Sequence, residues 1–402
     1  MSRSTRNALA ASVATLSLVS LAACGSEDSA TATSSKGATQ VAVTMAAGSN
    51  GDDCTYDATT VPAGPVTFTI TNRSATGITE FEVLDGERII GEKENVITGL
   101  PAAKLTLTLG GGSYTLYCPA AVTEKTALKV TGEAAAAPTG GTAQLLQQGA
   151  SEYGEYVVTQ LDGMVVAVQN LQKAVASGDV SAAQKAYAEA RPFYEKVESD
   201  IEGFVLPGGD PTDPASSLDY LIDMRQSSLD PKLGWSGFHA IERDVFGAKK
   251  ITAATKKYAV DLVANVKTLA GVAKKLTYKP EDLANGAAGL LEEVQSNKIT
   301  GEEEAFSHTD LADIADNVEG AQQAFEALRP GLVELDRGLT ETIEKRFAAV
   351  HELIEGYEDA SQVGGYRLWT PQLRKKDAAK VSQPVQALAD ALSGLAEKVA
   401  TA

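Results

Sequence analysis

The chain carries two different hydrophobic patterns, one after the other. Between residues 40 and 132, apolar and polar positions alternate over short stretches, for example at residues 105–109. Alternation predicts β-strands, because successive side chains of a strand point to opposite faces of the sheet. From about residue 144 the alternation gives way to apolar residues at helical spacing, such as Val157 and Leu161. The pattern therefore predicts an all-β region followed by an all-α region.

The two regions have the features of separate domains. Short strands divided by Gly- and Pro-containing turns over about 90 residues are typical of a β-sandwich. We place its strands at residues 40–45, 66–71, 79–83, 105–109, 113–118 and 127–130. Residues 133–143 form the predicted linker, and residues 144–402 form a predicted helical bundle. Its helices are expected to include residues 180–204, 311–328 and 332–357, with prolines at the breaks.

The N-terminal segment has the features of an export and anchoring signal. Basic Arg3 and Arg6 precede a short apolar stretch, which predicts a signal peptide over residues 1–23. The four residues ending at Cys24 resemble a bacterial lipobox, so Cys24 is the predicted lipidation site; a plain secretory signal is the alternative. Residues 24–39 are polar and are expected to form a flexible tether. These features predict an extracytoplasmic lipoprotein on the outer face of the cell membrane, in the periplasm or its equivalent.

Charge narrows the range of partners. Acidic residues outnumber basic ones by 53 to 35, which gives a formal net charge of −18. This balance argues against nucleic acid as a partner, because its phosphates would be repelled. An acidic protein attracts cations, although the same balance is common among exported proteins.

His239 and Glu242 form the most informative short motif. The chain has three histidines, and this one lies three residues before a glutamate. On a helix, this spacing puts the imidazole and the carboxylate on one face, where the two groups suit a divalent or trivalent cation. The alternative is a helix histidine that pairs with a neighbouring acid for packing alone.

Further acidic residues are candidates to complete such a site. Glu195 and Glu198 lie three apart, and two carboxylates on one helix face either point to solvent or share a cation or a proton. Asp219 and Asp223 have helical i,i+4 spacing, and Glu303 lies in an acidic stretch before a predicted helix. A solvated acidic surface is the alternative for each of these groups.

The β region has candidate chemistry of its own. With one of the three cysteines assigned to lipid, Cys54 and Cys118 remain. An oxidising compartment favours a disulfide between them, and a shared metal site is the alternative. Glu80 and Glu82 alternate with apolar residues and share one face of a strand. A blue-copper centre is excluded, because this region contains no histidine.

Four segments of the helical region resemble, in order, a single family of proteins. They are residues 237–242, 285–294, 299–311 and 317–330, and they are similar to the imelysin-like domain of the EfeO family. The longer members of that family have a cupredoxin-like N-terminal domain, which corresponds to residues 40–132 here. The resemblance implies a multidomain fold, with an N-terminal all-β cupredoxin-like sandwich and a C-terminal all-α imelysin-like helical bundle.

The resemblance also implies a set of metal ligands. In the helical domain, around the HxxE motif, they are His239, Glu242, Glu195, Glu198, Asp223 and Glu303. In the β domain, the corresponding cysteines and acids are Cys54, Cys118, Glu80 and Glu82. Oxygen donors with a single imidazole suit a hard cation such as iron; zinc and copper are the alternatives.

The function implied by the resemblance is iron uptake. The family supplies the extracytoplasmic iron-binding component of the Efe iron uptake system. The chain is therefore expected to capture iron and deliver it to a membrane permease, alongside a haem peroxidase partner, and it is not expected to be an enzyme. One alternative is an imelysin-type metallopeptidase, although the chain lacks a His-Glu-x-x-His motif. Another is a module that binds an acidic or sugar polymer through a metal.

Overall fold

The computed structural model describes residues 37–133 and 140–402. The first part forms two β-sheets and the second a helical region, so the predicted two-domain fold class is confirmed. The first strand begins at Thr39 and the first helix at Gly141, close to the predicted domain limits. The predicted signal peptide, most of the predicted tether and Cys24 lie outside the described residues.

The β domain consists of two sheets packed face to face. Its strands are β1 Thr39–Gly48, β2 Gly51–Tyr56, β3 Thr60–Pro62, β4 Gly64–Asn72, β5 Phe81–Asp85, β6 Arg88–Lys93, β7 Ala103–Leu109, β8 Gly112–Tyr117 and β9 Lys125–Thr131. One sheet has the order β2-β1-β4-β7, and the other has the order β3-β9-β8-β5-β6. Most neighbouring strands are antiparallel, but β1 pairs with β4, and β3 with β9, in parallel.

Alternating side chains of the two sheets meet in one apolar core. Along β1, Val41, Val43 and Met45 are buried, while the residues between them are exposed or half-buried. The core also contains Phe68 from the first sheet and Phe81 from the second, whose ring centroids lie 5.4 Å apart. Burial of these side chains stabilises the domain. Strands that bury one face carry the alternating pattern, and these are the strands that the sequence predicts.

The sequence pattern misses β2, β3 and β6. β2 is mostly polar and lies at the edge of its sheet, and its one fully buried residue is Cys54. β6 is half-buried along most of its length because it lies against the helical domain, where Ile89 N–H donates to Gly203 O. Contacts with other segments of the chain stabilise these strands, so they form without an alternating pattern in the sequence.

A disulfide joins Cys54 to Cys118. Cys54 lies on β2 and Cys118 directly follows β8, so the bond links the two sheets through the core. The disulfide is one of the two alternatives that the sequence leaves open. Neither sulfur remains as a thiolate, and the prediction that these cysteines bind a metal is therefore wrong.

The helical domain is built from long helices with short ones between them. The helices are α1 Gly141–Ser177, α2 Val180–Glu195, α3 Glu198–Ile201, α4 Leu218–Asp223, α5 Gly237–Glu242, α6 Ala253–Ala273, α7 Pro280–Glu293, α8 Asp310–Glu355, α9 Pro371–Leu392 and α10 Leu395–Ala400. Two π-helical turns, Arg243–Gly247 and Val294–Lys298, continue α5 and α7. α1 packs against α2, α6 and α8, and α7 packs against α8. Among the described helices, none combines the length and apolar character needed to cross a membrane.

The helix limits differ from the prediction at two places. The predicted helix 180–204 ends at Glu195, and the chain turns before it resumes as α3. α8 continues through Pro330, where a break is expected, and its non-helical residue is Asp336, with φ −156° and ψ 79°. Buried leucines on either side of the proline hold this part of the helix in place despite the missing hydrogen bond.

The two domains contact each other along β6, β7 and α7. Lys93 Nζ on β6 lies 2.8 Å from Glu292 Oε2 on α7, and Asn285 Nδ2 donates to Thr106 O at 2.7 Å. The side chain of Lys93 is 5% exposed, so its charge depends on this partner for compensation. The contact places the acidic residues of β5 and β6 against the helical domain.

Replacing both core cysteines is expected to destabilise the β domain. The bond spans 64 residues of sequence, and removing a cross-link of this kind typically costs about 2–5 kcal/mol of unfolding free energy. Urea unfolding of Cys54→Ser/Cys118→Ser against the wild type measures the loss. The helical transition, followed separately by far-ultraviolet circular dichroism, serves as the internal control. Titratable thiols at these two positions in the folded, unreduced protein would contradict the cross-link.

Candidate metal centre

The candidate centre lies at the start of α5, where two short helices approach closely. Gly237, the first residue of α5, has a φ of +69°, and a Cβ at this position would clash with Ile222 O on α4. Glycine tolerates both the positive φ and the close approach. As a result, Asp223 at the end of α4 lies next to His239 on α5, and both side chains are buried.

Glu242 fixes the orientation of the His239 ring. Its Oε2 lies 3.0 Å from His239 Nδ1. Its Oε1 accepts hydrogen bonds from the backbone N–H groups of Phe306 and Ser307, each at 2.7 Å. A carboxylate held in this way sets the direction of the ring, as carboxylates do behind metal-binding histidines. The i,i+3 spacing predicted from the sequence therefore brings the two side chains together, with Nδ1 as the atom that Glu242 contacts.

The other ring nitrogen faces two carboxylates. His239 Nε2 lies 3.6 Å from Asp223 Oδ1 and 3.4 Å from Glu303 Oε1. Donor atoms of the three residues lie within 4.8 Å of one another. In the described part of the chain, Asp223 Oδ2 is a buried oxygen without a hydrogen-bond partner. Buried polar atoms are normally satisfied, so this trio, the Nε2 cluster, has the chemistry of a cation site.

A second group of donors surrounds the opposite side of the ring. Donor atoms of His239, Glu242 and Glu304 also lie within 4.8 Å of one another. Glu304 Oε1, however, accepts a hydrogen bond from Tyr187 Oη at 2.7 Å, and its Oε2 accepts one from Ser307 Oγ. Both oxygens of Glu242 are also occupied. In the Nε2 cluster, by contrast, Asp223 Oδ2 has no hydrogen-bond partner among the described residues, and this oxygen distinguishes the two donor groups.

Arg191, buried on α2, supplies positive charge to the centre. Its guanidinium forms ion pairs with five buried carboxylates, which are Glu195, Asp223, Glu303, Glu304 and Asp313. The distance from Nη2 to Glu303 Oε1 is 3.0 Å. The contacts of Arg191 thus include both carboxylates of the Nε2 cluster.

Lys298 holds the two acids that the sequence places together on an early helix. Its Nζ lies 3.2 Å from Glu195 Oε2, 3.1 Å from Glu198 Oε2 and 3.8 Å from Glu303 Oε2. Glu195 ends α2 and Glu198 begins α3, so their carboxylates meet around the ammonium group although one helix does not carry both. Glu195 and Glu198 therefore lie beside the Nε2 cluster, and a direct role for them in metal binding stays a prediction.

Burial and neighbouring charges shift the pKa values of these groups in different directions. Burial alone would lower the pKa of His239, but Asp223 and the surrounding hydrogen bonds raise it well above its usual value. Burial raises the pKa of Glu198 and of Asp313 well above the ordinary range. Burial would also raise the pKa of Glu303, but Lys298 and other cations hold it well below the ordinary range. Glu303 is therefore the most firmly ionised carboxylate of this group.

Sequence reasoning misses several residues that the fold brings to this centre. Arg191 and Glu195 have i,i+4 spacing, and this pair could have been noticed as a helical ion pair. Glu304 lies beside the predicted Glu303 but points to the opposite side of the histidine ring. Lys298 lies on a π-helical turn and approaches over a long sequence distance, which no local pattern indicates.

The β domain contributes a separate acidic cluster. Donor atoms of Glu80, Glu82 and Glu92 lie within 4.8 Å of one another. Glu82 faces Glu92 across the β5–β6 pair, while Glu80 directly precedes β5. Burial, together with the neighbouring acids, raises the pKa of Glu82 to about 10, and burial raises the pKa of Glu92 to about 7. The structure thus brings the predicted Glu80 and Glu82 together and adds Glu92.

This cluster opens into a cavity of about 260 Å³ between the two domains. The helical domain contributes further acids to the lining, including Glu202 and Asp219, and the basic Arg225. Among the residues that the structure covers, Glu82 Oε2 is a buried oxygen with no hydrogen-bond partner. The carboxylates are therefore not fully compensated by the protein itself.

The fold and the site are those of a two-domain protein with a buried carboxylate–imidazole centre in its helical domain. A family model described as Imelysin matches residues 149–399. The iron uptake system component EfeO of Yersinia pestis is 34% identical over 362 residues, covering 89% of this chain and 90% of the relative. EfeO of Escherichia coli O1:K1 / APEC is 34% identical over 342 residues, covering 84% and 86%. The chain belongs to the imelysin family, and its resemblance to EfeO is confirmed.

Removing a donor of the Nε2 cluster is expected to weaken cation binding strongly. His239→Ala removes the imidazole ligand and Asp223→Asn removes the negative charge of a carboxylate, and each should lower the affinity for Fe²⁺ by about 100-fold or more. Glu242→Gln should lower it by about 10–100-fold, the range typical of groups that orient a ligand. Anaerobic titration calorimetry measures these affinities.

Asp162→Asn is the matched control for these variants. Asp162 is an exposed acid on α1, where its Oδ1 is 2.7 Å from Lys274 Nζ, and it belongs to neither donor cluster. Its replacement should leave the affinity unchanged. Circular dichroism checks that all variants keep the helical fold. Wild-type affinity in both His239→Ala and Asp223→Asn would rule out the Nε2 cluster as the binding site.

Proposed function

We propose that this protein binds iron outside the cytoplasm and delivers it to an uptake system in the cell membrane. The observation that carries the proposal is the buried convergence of His239 Nε2 with Asp223 and the ionised Glu303, where Asp223 Oδ2 has no hydrogen-bond partner in the described structure. Buried donors of this kind suit a cation that enters and leaves. The EfeO relatives are iron uptake system components, which supports iron as that cation.

The donor chemistry agrees with iron and limits the alternatives. Carboxylate oxygens with one imidazole suit a hard or borderline cation. Zinc accepts the same donor types, but nothing beyond this general chemistry supports it. Copper loses its strongest argument, because the disulfide removes the two thiolates that would have favoured it. We therefore propose iron as the cargo of the centre.

We propose a binding role and no catalytic step for this chain. A metallopeptidase needs a metal-bound water that a peptide can reach. Here His239 and Glu303 are each 1% exposed, so their donor atoms are closed off from a polymer in solution. The contacts with Arg191 and Lys298 further fill the space beside the donors. This burial supports storage and transfer of an ion over attack on a polymer.

A second cation site at the domain boundary is part of the proposal. Its donors would be Glu80, Glu82 and Glu92, which converge with one unsatisfied buried oxygen. Neutralising these acids requires either protons or a cation, because burial disfavours several adjacent negative charges. A multivalent cation satisfies all three carboxylates at once.

Anchoring and delivery complete the proposed mechanism. Residues 1–23 would direct export, and lipid on Cys24 would hold the protein at the membrane, with the following residues as a tether. A tethered protein meets a membrane permease at a raised effective concentration. A haem peroxidase of the same uptake system is the other proposed partner. Both partners follow from the family resemblance.

Removing the second donor set is expected to lower the number of bound cations and leave the first site intact. In Glu82→Gln/Glu92→Gln, the stoichiometry of Fe²⁺ binding should fall by one, while the affinity at the Nε2 cluster stays unchanged. Glu87→Gln is the matched control, because Glu87 is an exposed glutamate in the turn between β5 and β6. An unchanged stoichiometry in the double variant would remove the second site from the proposal.

The function as a whole is tested in cells at limiting iron. Cys24→Ser should release the protein into the soluble fraction and reduce iron uptake, because the local concentration at the membrane falls. His239→Ala should reduce uptake while the protein stays at the membrane. The iron affinity of purified Cys24→Ser should equal that of the wild type. Retention of Cys24→Ser on membranes after a high-salt wash would contradict the anchor, and normal uptake with His239→Ala would contradict the function.

A further inference from the structure

One buried basic residue shares the donors of the candidate centre. Asp223 Oδ1 and Glu303 Oε1 are the atoms nearest to His239 Nε2, at 3.6 and 3.4 Å. The same two oxygens are the ones that the guanidinium of Arg191 contacts. Within the described residues, no other lysine or arginine forms ion pairs with both carboxylates. Arg191 therefore lies where it meets any cation bound at the Nε2 cluster.

The two positive charges would oppose each other. A metal ion held by these oxygens would lie only a few ångströms from the guanidinium, in a region that water does not screen. The guanidinium cannot lose its proton to relieve the repulsion, since arginine stays charged in proteins. A lysine at this position would have that option. Cation binding must therefore weaken the contacts of Arg191 with Asp223 and Glu303.

The fold provides another acceptor for the displaced group. Asp313 Oδ2 lies 3.5 Å from Arg191 Nη2 and is, among the described atoms, a buried oxygen without a hydrogen-bond partner. Arg191 and Asp313 both line a cavity of about 240 Å³ between α2 and α8. The cavity is also lined by Asp316 and Glu319, which pair with Lys196, so Asp313 is the acceptor left for the guanidinium on this side. Space and charge compensation are thus both available away from His239.

We propose that Arg191 is an internal counter-cation that occupies the carboxylates of the Nε2 cluster in the metal-free protein and moves toward Asp313 when a metal ion binds. This inference rests on the proposed iron-binding function and adds a residue that sets affinity. An ion must compete with the guanidinium for the same oxygens, so multivalent ions have the advantage over monovalent ones. The same competition lowers the affinity of the bound ion and favours its release.

The distinctive test is the sign of the effect of Arg191→Gln. If Arg191 competes with the ion, its removal destabilises the metal-free protein but tightens Fe²⁺ binding, by about tenfold or more given the loss of a close like charge. If Arg191 only positions the carboxylates, its removal weakens binding. Arg191→Lys keeps a positive charge and should stay nearer to the wild type. Anaerobic calorimetry gives the affinity, and thermal unfolding without metal gives the stability.

Two controls separate this effect from general electrostatics. Lys185→Gln removes an exposed positive charge from the same helix, where Lys185 pairs only with Glu189 in the described structure, and should leave the affinity unchanged. In Arg191→Gln/His239→Ala, the gain in affinity should disappear, which locates it at the Nε2 cluster. Equal or weaker binding by Arg191→Gln would overturn the inference while the proposed function stands. No Fe²⁺ binding by the wild type would instead overturn the proposed function.

Asp313→Asn tests the displaced position independently, even if Arg191→Gln fails to fold. Asp313 is not a donor of the Nε2 cluster, so a role in holding the displaced guanidinium is the reason for its effect on binding. We expect Fe²⁺ affinity to fall by about fivefold or more, because the displaced guanidinium loses the carboxyl group with which it would form its ion pair. Unchanged affinity in Asp313→Asn would overturn the movement toward this residue.

Discussion

Many carboxylates are buried together in the core of the helical domain, and their charge must be compensated there for the domain to fold. An unpaired buried charge is strongly unfavourable, so each acid must meet a cation, a proton or a hydrogen-bond donor. Arg191 and Lys298 compensate part of this negative charge, and backbone N–H groups donate hydrogen bonds to Glu242. His239 is the one imidazole within this group of described residues. The remaining negative charge explains why the same region suits a metal ion.

The helices around the centre are arranged so that cations and hydrogen-bond donors reach the buried carboxylates. Long helices α1, α6 and α8 build the apolar scaffold, while Asp223 and His239 lie on the short helices α4 and α5 and Glu303 lies in the turns before α8. The π-helical turn Arg243–Gly247 directly follows Glu242, and the turn Val294–Lys298 ends at the lysine that holds Glu195 and Glu198. Such turns are less regular than an α-helix and are often found at functional sites. Here they aim side chains that a regular helix would place elsewhere.

The sequence predicts the fold well where burial is periodic. The alternation in β1 and the helical stripe of α1 both correspond to buried apolar faces. It predicts poorly where contacts between distant segments decide, as for the polar β2 and for α8, which continues through Pro330.

The site shows the same division between local and long-range information. The spacing of His239 and Glu242 is local, so the motif can be recognised in the sequence. Which nitrogen faces Asp223 depends on the close approach at Gly237, and the role of Arg191 depends on contacts with three segments outside its own helix. Neither relation leaves a periodic trace along the chain.

The ion pair between Lys93 and Glu292 has a consequence for hydration. Lys93 is buried only because the two domains are docked, and its ammonium group exchanges water for a carboxylate across the boundary. Separation of the domains would return water to Lys93 and to the neighbouring Glu82 and Glu92 at the same time. The acids would then recover their ordinary solvation, and burial would no longer raise their pKa values. The docking of the sandwich on α7 therefore also limits the solvation of this acidic cluster.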